Sequence, residues 1–490
     1  MTTSKQVSRI AVIGAGPSGL AAVKYLLAEK CFDKIDVFEK RSATGGVWNY
    51  SPGALKRELP TPVPQLNPNR PLEDPVWSPT GPKDGASEVT FVSPIYDTLE
   101  ANLPKELMRF SDKLFPDEEQ VLPRHSVVKR YLHGYAEDVK DLIQLETQVQ
   151  DLRPNSSGAN DWALTTTNLR TGDDKTDSYD AVVVASGHYD ATYLPDIPGI
   201  REWNKAYPKV ISHSKHYDSP PIFRDKKVVV VGSSASAIDI GAQISEVSKG
   251  KLLVSERSES YLQPPPTTDK IYFPEIVEFL PSANHDRAIR FANGRVESEI
   301  DAIVFCTGYL YSFPFLSSLD PPVITDGRRT VNTYQHLFYT YNPTLVFPLI
   351  TQRIVPFPFA ESQAAVFARV WSGRLSLPSQ AEMIAWEKDL IAEKGNGTFF
   401  HYLPYPQDAD SIDLLYNWAA SAKKRPGLAN DGAGKLPPLW GEKERWLRCH
   451  FPDIRKAFIE QGEARRNIRS VAELGYGYEQ RREREQESKL

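Results

Sequence analysis

At 490 residues the chain is long enough for two or three domains with sizeable cores. Its 40% hydrophobic, 25% charged and 11% aromatic residues are those of an ordinary globular protein, and a formal net charge of -5 gives no general electrostatic drive toward nucleic acid or an anionic membrane. Three cysteines, Cys31, Cys306 and Cys449, are too few and too scattered for a disulfide framework, which fits a reducing compartment.

The first periodic segment, RIAVIGAGPSGLAAVKYLLAEK, reads as a buried strand, a tight turn and a helix. The apolar run from Ile10 to Leu27 is broken by three glycines, a proline and Lys24, so it is no membrane span, and the opening residues carry no secretory-signal pattern. Gly14, Gly16 and Gly19 spell G-x-G-x-x-G between strand and helix. The first glycine permits the turn, the second lets backbone approach a pyrophosphate, and the third lets helix and strand pack closely. The free N–H groups and positive dipole of the helix N-terminus, with Pro17 and Ser18 opening it, suit phosphate. Glu39 ends the next strand, KIDVFEK, twenty residues past Gly19, where its carboxylate would accept ribose hydroxyls and repel a 2′-phosphate. FAD or NAD, rather than NADP, is expected at this turn. The continuation EKRSATGGVW resembles the extended fingerprint of two-dinucleotide flavoproteins, whose double glycine, here Gly45-Gly46, passes close to the flavin diphosphate. That resemblance selects FAD.

The Pro-rich stretch from Ser51 to Ala86 reads as a long loop. Two short strands end in small residues, AVVVASG at 181–187 and AIVFCTG at 302–308. DSPPIF at 218–223 reads as a hinge into a second unit, KVVVVGSSASAIDIGAQISEV, followed by the strand KLLVSERS. Here Gly232 keeps the tight turn, Ser234 replaces the second glycine and Ala237 the third. Each substitution is small, and Ser233, Ser234 and Ser236 carry hydroxyls able to donate to phosphate. Arg257, twenty residues past Ala237, stands where a NAD site has its acidic ribose-binder, and a guanidinium suits a 2′-phosphate. Glu256 beside it is the awkward neighbour, since an inward side chain would tolerate NADH.

Strands alternating with helices in this way predict an α/β protein with two Rossmann-like dinucleotide domains, the second inserted into the first. The expected division is 1–212 plus 330–490 for FAD and 213–329 for NADPH. The tail beyond Trp446 is charged with helical patches and is expected to wrap the surface. It ends in Ser488-Lys489-Leu490, the tripeptide read by the peroxisomal import receptor, so the peroxisome is one expected location and the cytoplasm the other. No histidine falls into a metal-ligand spacing, and no metal is expected.

Four further segments narrow the family: YDTLEANLPKELMRFSD at 96–112, IPGIREWNKAYPKVISHSKHYD at 197–218, VFCTGY at 304–309 and PFAESQAAVFARVWSG at 358–373. Together with the two turns they resemble the flavin-containing monooxygenase family over residues 8 to about 380. The second segment departs from the family's identifying stretch: Tyr207 and Lys209 occupy its aromatic and glycine positions, while His213 and Tyr217 match. His213 is expected to be a hydrogen-bonded packing residue. Tyr217-Asp218 stands where Baeyer–Villiger relatives carry a tryptophan, which favours heteroatom oxygenation over ketone insertion.

The resemblance implies that NADPH reduces FAD, that molecular oxygen forms a C4a-hydroperoxyflavin, and that a small amine or thioether is oxygenated by it. It places Asn102 against the flavin ring as the catalytic side chain. It gives Gly14, Gly16, Pro17, Ser18, Gly19, Glu39, Lys40, Gly46, Val47, Trp48, Val149 and Gln363 to FAD. Gly232, Ser233, Ser234, Ser236, Ala237 and Arg257 go to NADPH. A Baeyer–Villiger enzyme, a peroxide-producing NADPH oxidase and a non-catalytic flavin binder are the alternatives. A disulfide reductase is not expected, because Cys31 is alone near the first unit. Exposed aromatic and Pro-rich surface would accommodate a homodimer.

Overall fold

The structure is a computed structural model that describes residues 6–58, 60–78, 87–155, 161–258, 262 and 268–487. The strand Arg9–Ile13 lies within a seven-stranded sheet whose spatial order is Thr333–Tyr334, Phe338–Tyr339, Leu345–Val346, Ala181–Val184, Arg9–Ile13, Lys34–Phe38 and Ile143–Gln144. The last five strands run parallel, and an antiparallel meander extends one edge. Side chains alternate across a strand, so both faces must be covered. Ile10 and Val12 join a core with the helices Pro17–Ala28 and Pro356–Trp371, whereas Ala11 and Ile13 share a core with Phe38 and with Val149, Leu152 and Trp162 of an antiparallel three-stranded layer.

The second sheet has five parallel strands in the order Ile211–His213, Ala302–Phe305, Val228–Val231, Leu252–Ser255 and Lys270–Phe273. Val229, Leu253 and Ile303 face a core that also takes in Leu194, Ile200 and Trp203. Val228, Val230 and Val304 face the helix Ala235–Ser245 through Ala237, Ile240 and Ile244. The β-branched run at 228–231 is thus apolar throughout because it is covered on both sides. The strand Ile211–His213 straddles the expected 212/213 boundary. The molecule is therefore the α/β double-Rossmann architecture expected from the sequence.

Two segments differ from expectation. The stretch read as one loop at 51–86 contains the helix Gly53–Glu58 and the strand Val76–Ser78, which pairs antiparallel with Glu88–Thr90. The C-terminal part is not a surface wrap alone: in the helix Glu442–Glu460, Leu447, Phe451, Ile454 and Phe458 are buried. Their spacing of three to four residues makes one apolar stripe, which the charged residues between them hid from a composition-based reading. Ser488-Lys489-Leu490 lies outside the described residues. Among the described residues no helix is long and apolar enough to cross a membrane.

Candidate dinucleotide sites and the strap between them

The first turn is built from close backbone approaches. Gly14 has φ +103°, and a Cβ there would lie 2.5 Å from the Ala185 carbonyl oxygen. A Cβ on Gly19 would come within 1.9 Å of the Gly14 oxygen, so only glycine lets this helix meet its strand. Gly16 touches the second glycine pair, since a Cβ on Gly46 would be 2.9 Å from Gly16 Cα. The helix starts at Pro17, and no side chain caps Gly16, which leaves the N-terminal dipole facing outward for an anion. Ser18 is buried in that first turn.

Glu39 is 3% exposed, and its two oxygens accept the Ala15 and Arg41 N–H groups, each at 2.9 Å. A carboxylate has about four lone-pair sites, so acceptor capacity remains for ribose hydroxyls. Lys40 instead donates to Glu73 at 3.3 Å and to Asp190 at 3.2 Å. Burial alone would raise the Asp190 carboxyl, but Lys40 and Lys215 hold it well below the usual range.

The turn Gly46–Trp48 is stitched by Asn49, whose Nδ2 donates to the carbonyls of Ala43, Thr44 and Gly46 at 3.3, 3.0 and 3.2 Å. Asn49 escaped the sequence reading, although an amide directly after a double glycine is a turn signal in itself. The Val47 oxygen accepts from the Ser93 hydroxyl, and Trp48 packs against the helical core. Val149 is buried in the antiparallel layer, in the core that also takes in Phe38. Gln363 is fully buried, and its amide is engaged with backbone: Oε1 accepts the Leu349 N–H at 2.9 Å and Nε2 donates to the His336 oxygen at 3.3 Å. The glycine cradle, uncapped helix and buried acid fit a dinucleotide without a 2′-phosphate.

The second turn repeats the device with one glycine. Gly232 has φ +129°, its N–H donates to the Ser255 oxygen at 2.9 Å, and a Cβ would lie 2.8 Å from the Cys306 oxygen. Ser234 is the exposed N-cap, and its hydroxyl makes no bond to its own helix. Ala237 packs into the core. Ser236 turns toward Cys306, whose thiol is pushed up to about 12 by burial. A small cavity at the turn is lined by Gly232, Ser233, Ile238, Glu256, Lys270 and Tyr272. Arg257 is exposed at the strand end, so Glu256, and not Arg257, forms the cavity wall. Lys270 and Tyr272 come from the adjacent parallel strand, where Leu252 pairs with Lys270 and Val254 with Tyr272. No local motif marks them; only the sheet register brings them in.

The segment Ser93–Asn102 spans from one turn to the other unit. It begins at the Ser93–Val47 bond, continues through Tyr96, which donates to Asp239, and Thr98, which donates to Gln243 at 2.8 Å, and ends at Asn102. Asp239 and Gln243 lie one helical turn apart on Ala235–Ser245. Asn102 is exposed, and its Oδ1 accepts from Arg455 Nε at 3.2 Å. The following residue, Leu103, packs against the same core as Trp48. His213 is fully buried; Nδ1 accepts the Lys215 N–H at 3.1 Å and Nε2 donates to the Gly308 oxygen at 3.0 Å. Burial, aided by nearby His216, lowers its pKa to about 3, so it is the neutral packing residue expected.

Comparison with known proteins agrees with this architecture. The model of the family described as "FMO-like: Flavin-binding monooxygenase-like" matches residues 86–277 and 274–428, and that of an NAD(P)-binding Rossmann-like domain matches residues 12–53. The chain is 35% identical to flavin-containing monooxygenase FMO GS-OX-like 2 of Arabidopsis thaliana, over 87% of this chain and 86% of that one. It is 29% identical to flavin-containing monooxygenase ustF2 of Aspergillus flavus, over 91% and 98%. Among solved structures, the S-allyl-L-cysteine S-oxygenase of Allium sativum superposes with a TM-score of 0.73 at 27% identity, covering 98% of this chain and 99% of that one.

Proposed function

Because the chain belongs to the flavin-binding monooxygenase-like family, we propose that it is an NADPH- and oxygen-dependent monooxygenase acting on soft nucleophiles, an amine nitrogen or a thioether sulfur. It is a flavoprotein oxidoreductase, and its cofactors are FAD and NADPH. The proposed division gives FAD to 1–212 plus 330–490 and NADPH to 213–329.

When bound, FAD supplies the electron transfer and oxygen activation that no side chain provides. The chain's own residues bind, orient and shield. Gly14, Gly16 and Gly19 with the uncapped helix at Pro17 and Ser18 would cradle the pyrophosphate, and Glu39 would accept from the ribose. The Gly46–Trp48 turn, held by Asn49, would line the cofactor's path. Gln363 acts at one remove, fixing the backbone of Leu349 and His336. In the second unit Gly232, Ser233 and Ser234 would receive the nicotinamide nucleotide's phosphates, while Arg257 and Lys270 would offset Glu256 at a 2′-phosphate.

The observation that supports the reading is the strap from Ser93 to Asn102, which bonds the first turn at Val47 and the second unit's helix at Asp239 and Gln243; on this reading Asn102, at its end, brings an amide to the flavin. An amide there would donate a hydrogen bond to bound oxygen without adding negative charge, which a carboxylate would bring. Likeness to the S-allyl-L-cysteine S-oxygenase of Allium sativum supports a thioether as the first substrate to try.

The overall balance is NADPH, a proton, oxygen and thioether giving NADP⁺, water and sulfoxide. The test follows NADPH loss, oxygen uptake, peroxide and product together, with a thioether, a tertiary amine and a cyclic ketone in turn. Equal consumption of NADPH and oxygen with matching sulfoxide or N-oxide supports the reading. Lactone from the ketone alone would assign a Baeyer–Villiger enzyme, and peroxide without organic product an oxidase.

A further inference from the structure

We infer that Arg455, on the helix Glu442–Glu460, is a positioning residue that fixes which end of the Asn102 amide is left to face the flavin. The inference rests on the assignment of Asn102 made above. A guanidinium only donates, so the atom Arg455 Nε meets at 3.2 Å must be Asn102 Oδ1. With Oδ1 engaged by Arg455, Nδ2 is the end of the amide left to donate, and on the assignment of Asn102 it is the end that would face the flavin. An unrestrained amide could flip and present a lone pair instead, which would repel an electron-rich oxygen.

Arg455 is itself aimed. Its side chain is 12% exposed, and Nη2 lies 4.0 Å from Asp239 Oδ1 on the second unit's helix. Asp239 is also the acceptor for Tyr96 Oη, and Gln243 Nε2 donates to the same carboxylate at 3.5 Å. Neighbouring Ile454 and Phe458 are buried in the first unit's helical core, which fixes the helix face that carries Arg455. Two turns further back, Arg448 bonds Asp408 at 2.6 Å with both side chains buried. A planar fork on an anchored helix, braced by a carboxylate, sets an amide's orientation more firmly than a flexible ammonium would. The arrangement joins the helix Glu442–Glu460, the strap and the nicotinamide-side helix at one amide.

The test compares Arg455→Lys, which keeps the charge beside Asp239 but not the fork, and Arg455→Met, which removes both. Each is made in the native background and in Asn102→Ala, as FAD-loaded protein. Two quantities are read: peroxide released per NADPH with a thioether present, and hydrogen exchange of the 96–102 backbone. In the native background each variant is expected to raise peroxide release about three- to tenfold, the loss of roughly one oriented hydrogen bond. In the Asn102→Ala background neither should raise it further. Exchange over 96–102 should quicken in Arg455→Met but remain near native in Arg455→Lys.

An equal rise in both backgrounds would show that Arg455 acts by supporting the fold and not through Asn102, and would overturn the inference. Native coupling in Arg455→Lys and Arg455→Met, with Asn102→Ala uncoupled, would overturn it while leaving Asn102 in place. Native coupling in Asn102→Ala would remove the assignment on which it rests. The two substitutions are read separately, so poor folding of Arg455→Met leaves Arg455→Lys to decide.

Discussion

Replacing Glu39 by glutamine changes one oxygen to an NH₂ group at almost constant shape. In the native protein both carboxylate oxygens accept backbone N–H groups, from Ala15 and Arg41, at 2.9 Å. A glutamine accepts only one of them, and its NH₂ faces the other donor. A hydrogen bond to a charged group contributes about 1.5–3 kcal/mol, and the orphaned N–H costs about 1–3 kcal/mol where water cannot reach it. Part of that loss falls on the protein without cofactor, which should melt earlier. The part that falls on FAD is the exchange of a charged ribose acceptor for a neutral one. That exchange corresponds to an FAD dissociation constant raised about 10- to 100-fold. The assay strips FAD from native and Glu39→Gln protein, then titrates it back by fluorescence, with a melting curve taken on the stripped proteins. A dissociation constant within twofold of native, with unchanged melting, would refute both the ribose role and the claim that the two backbone bonds are strong.

Burial pushes the Glu361 carboxyl up to about 7, against the Ser111 N–H and hydroxyl that bond it at 2.7 Å each. Its folded pKa lies above the ordinary carboxylate value, so the stability it contributes is complete below about pH 4.5 and is lost as pH rises through about 7. Over that window Glu361→Gln should gain about 3 kcal/mol relative to native, seen as converging or crossing melting temperatures between about pH 5 and pH 8; parallel curves would show that the carboxyl titrates normally. Gly232→Ala forces a Cβ to 2.8 Å from the Cys306 oxygen at φ +129°, so it should retain FAD while raising the KM for NADPH by about tenfold or more. An unchanged KM would place the nicotinamide nucleotide elsewhere. Glu256→Gln removes a negative charge from the cavity wall shared with Lys270 and should raise the kcat/KM ratio of NADPH over NADH about tenfold; equal effects on both nucleotides would mean that the 2′-phosphate is read outside this cavity.

The local backbone geometry of the turns was legible in the sequence. Gly14, Gly16, Gly19, Glu39 and Gly232 sit at fixed offsets in strand-turn-helix units, and each shows in the structure the close approach or buried acceptor that its residue type implies. The sequence was less informative where a side chain has two partners to choose from. Lys40 turns to Glu73 and Asp190, and Ser236 turns to Cys306, because their neighbours come from segments far along the chain. Lys270, Tyr272, Asp239 and Arg455 carry no motif, since the chemistry of a lone lysine or arginine says nothing until packing sets what it faces.

The sequence by itself determined two dinucleotide units, the order in which they are nested and the glycines each turn cannot lose, because apolar periodicity and backbone sterics act within a few residues. Only the tertiary structure decided that Glu256 faces the second cavity, that a strap from Ser93 to Asn102 ties one unit to the other, and that Arg455 meets an amide 353 residues away. Those contacts depend on sheet register and on how the helix Glu442–Glu460 docks, and both are set by the whole core at once.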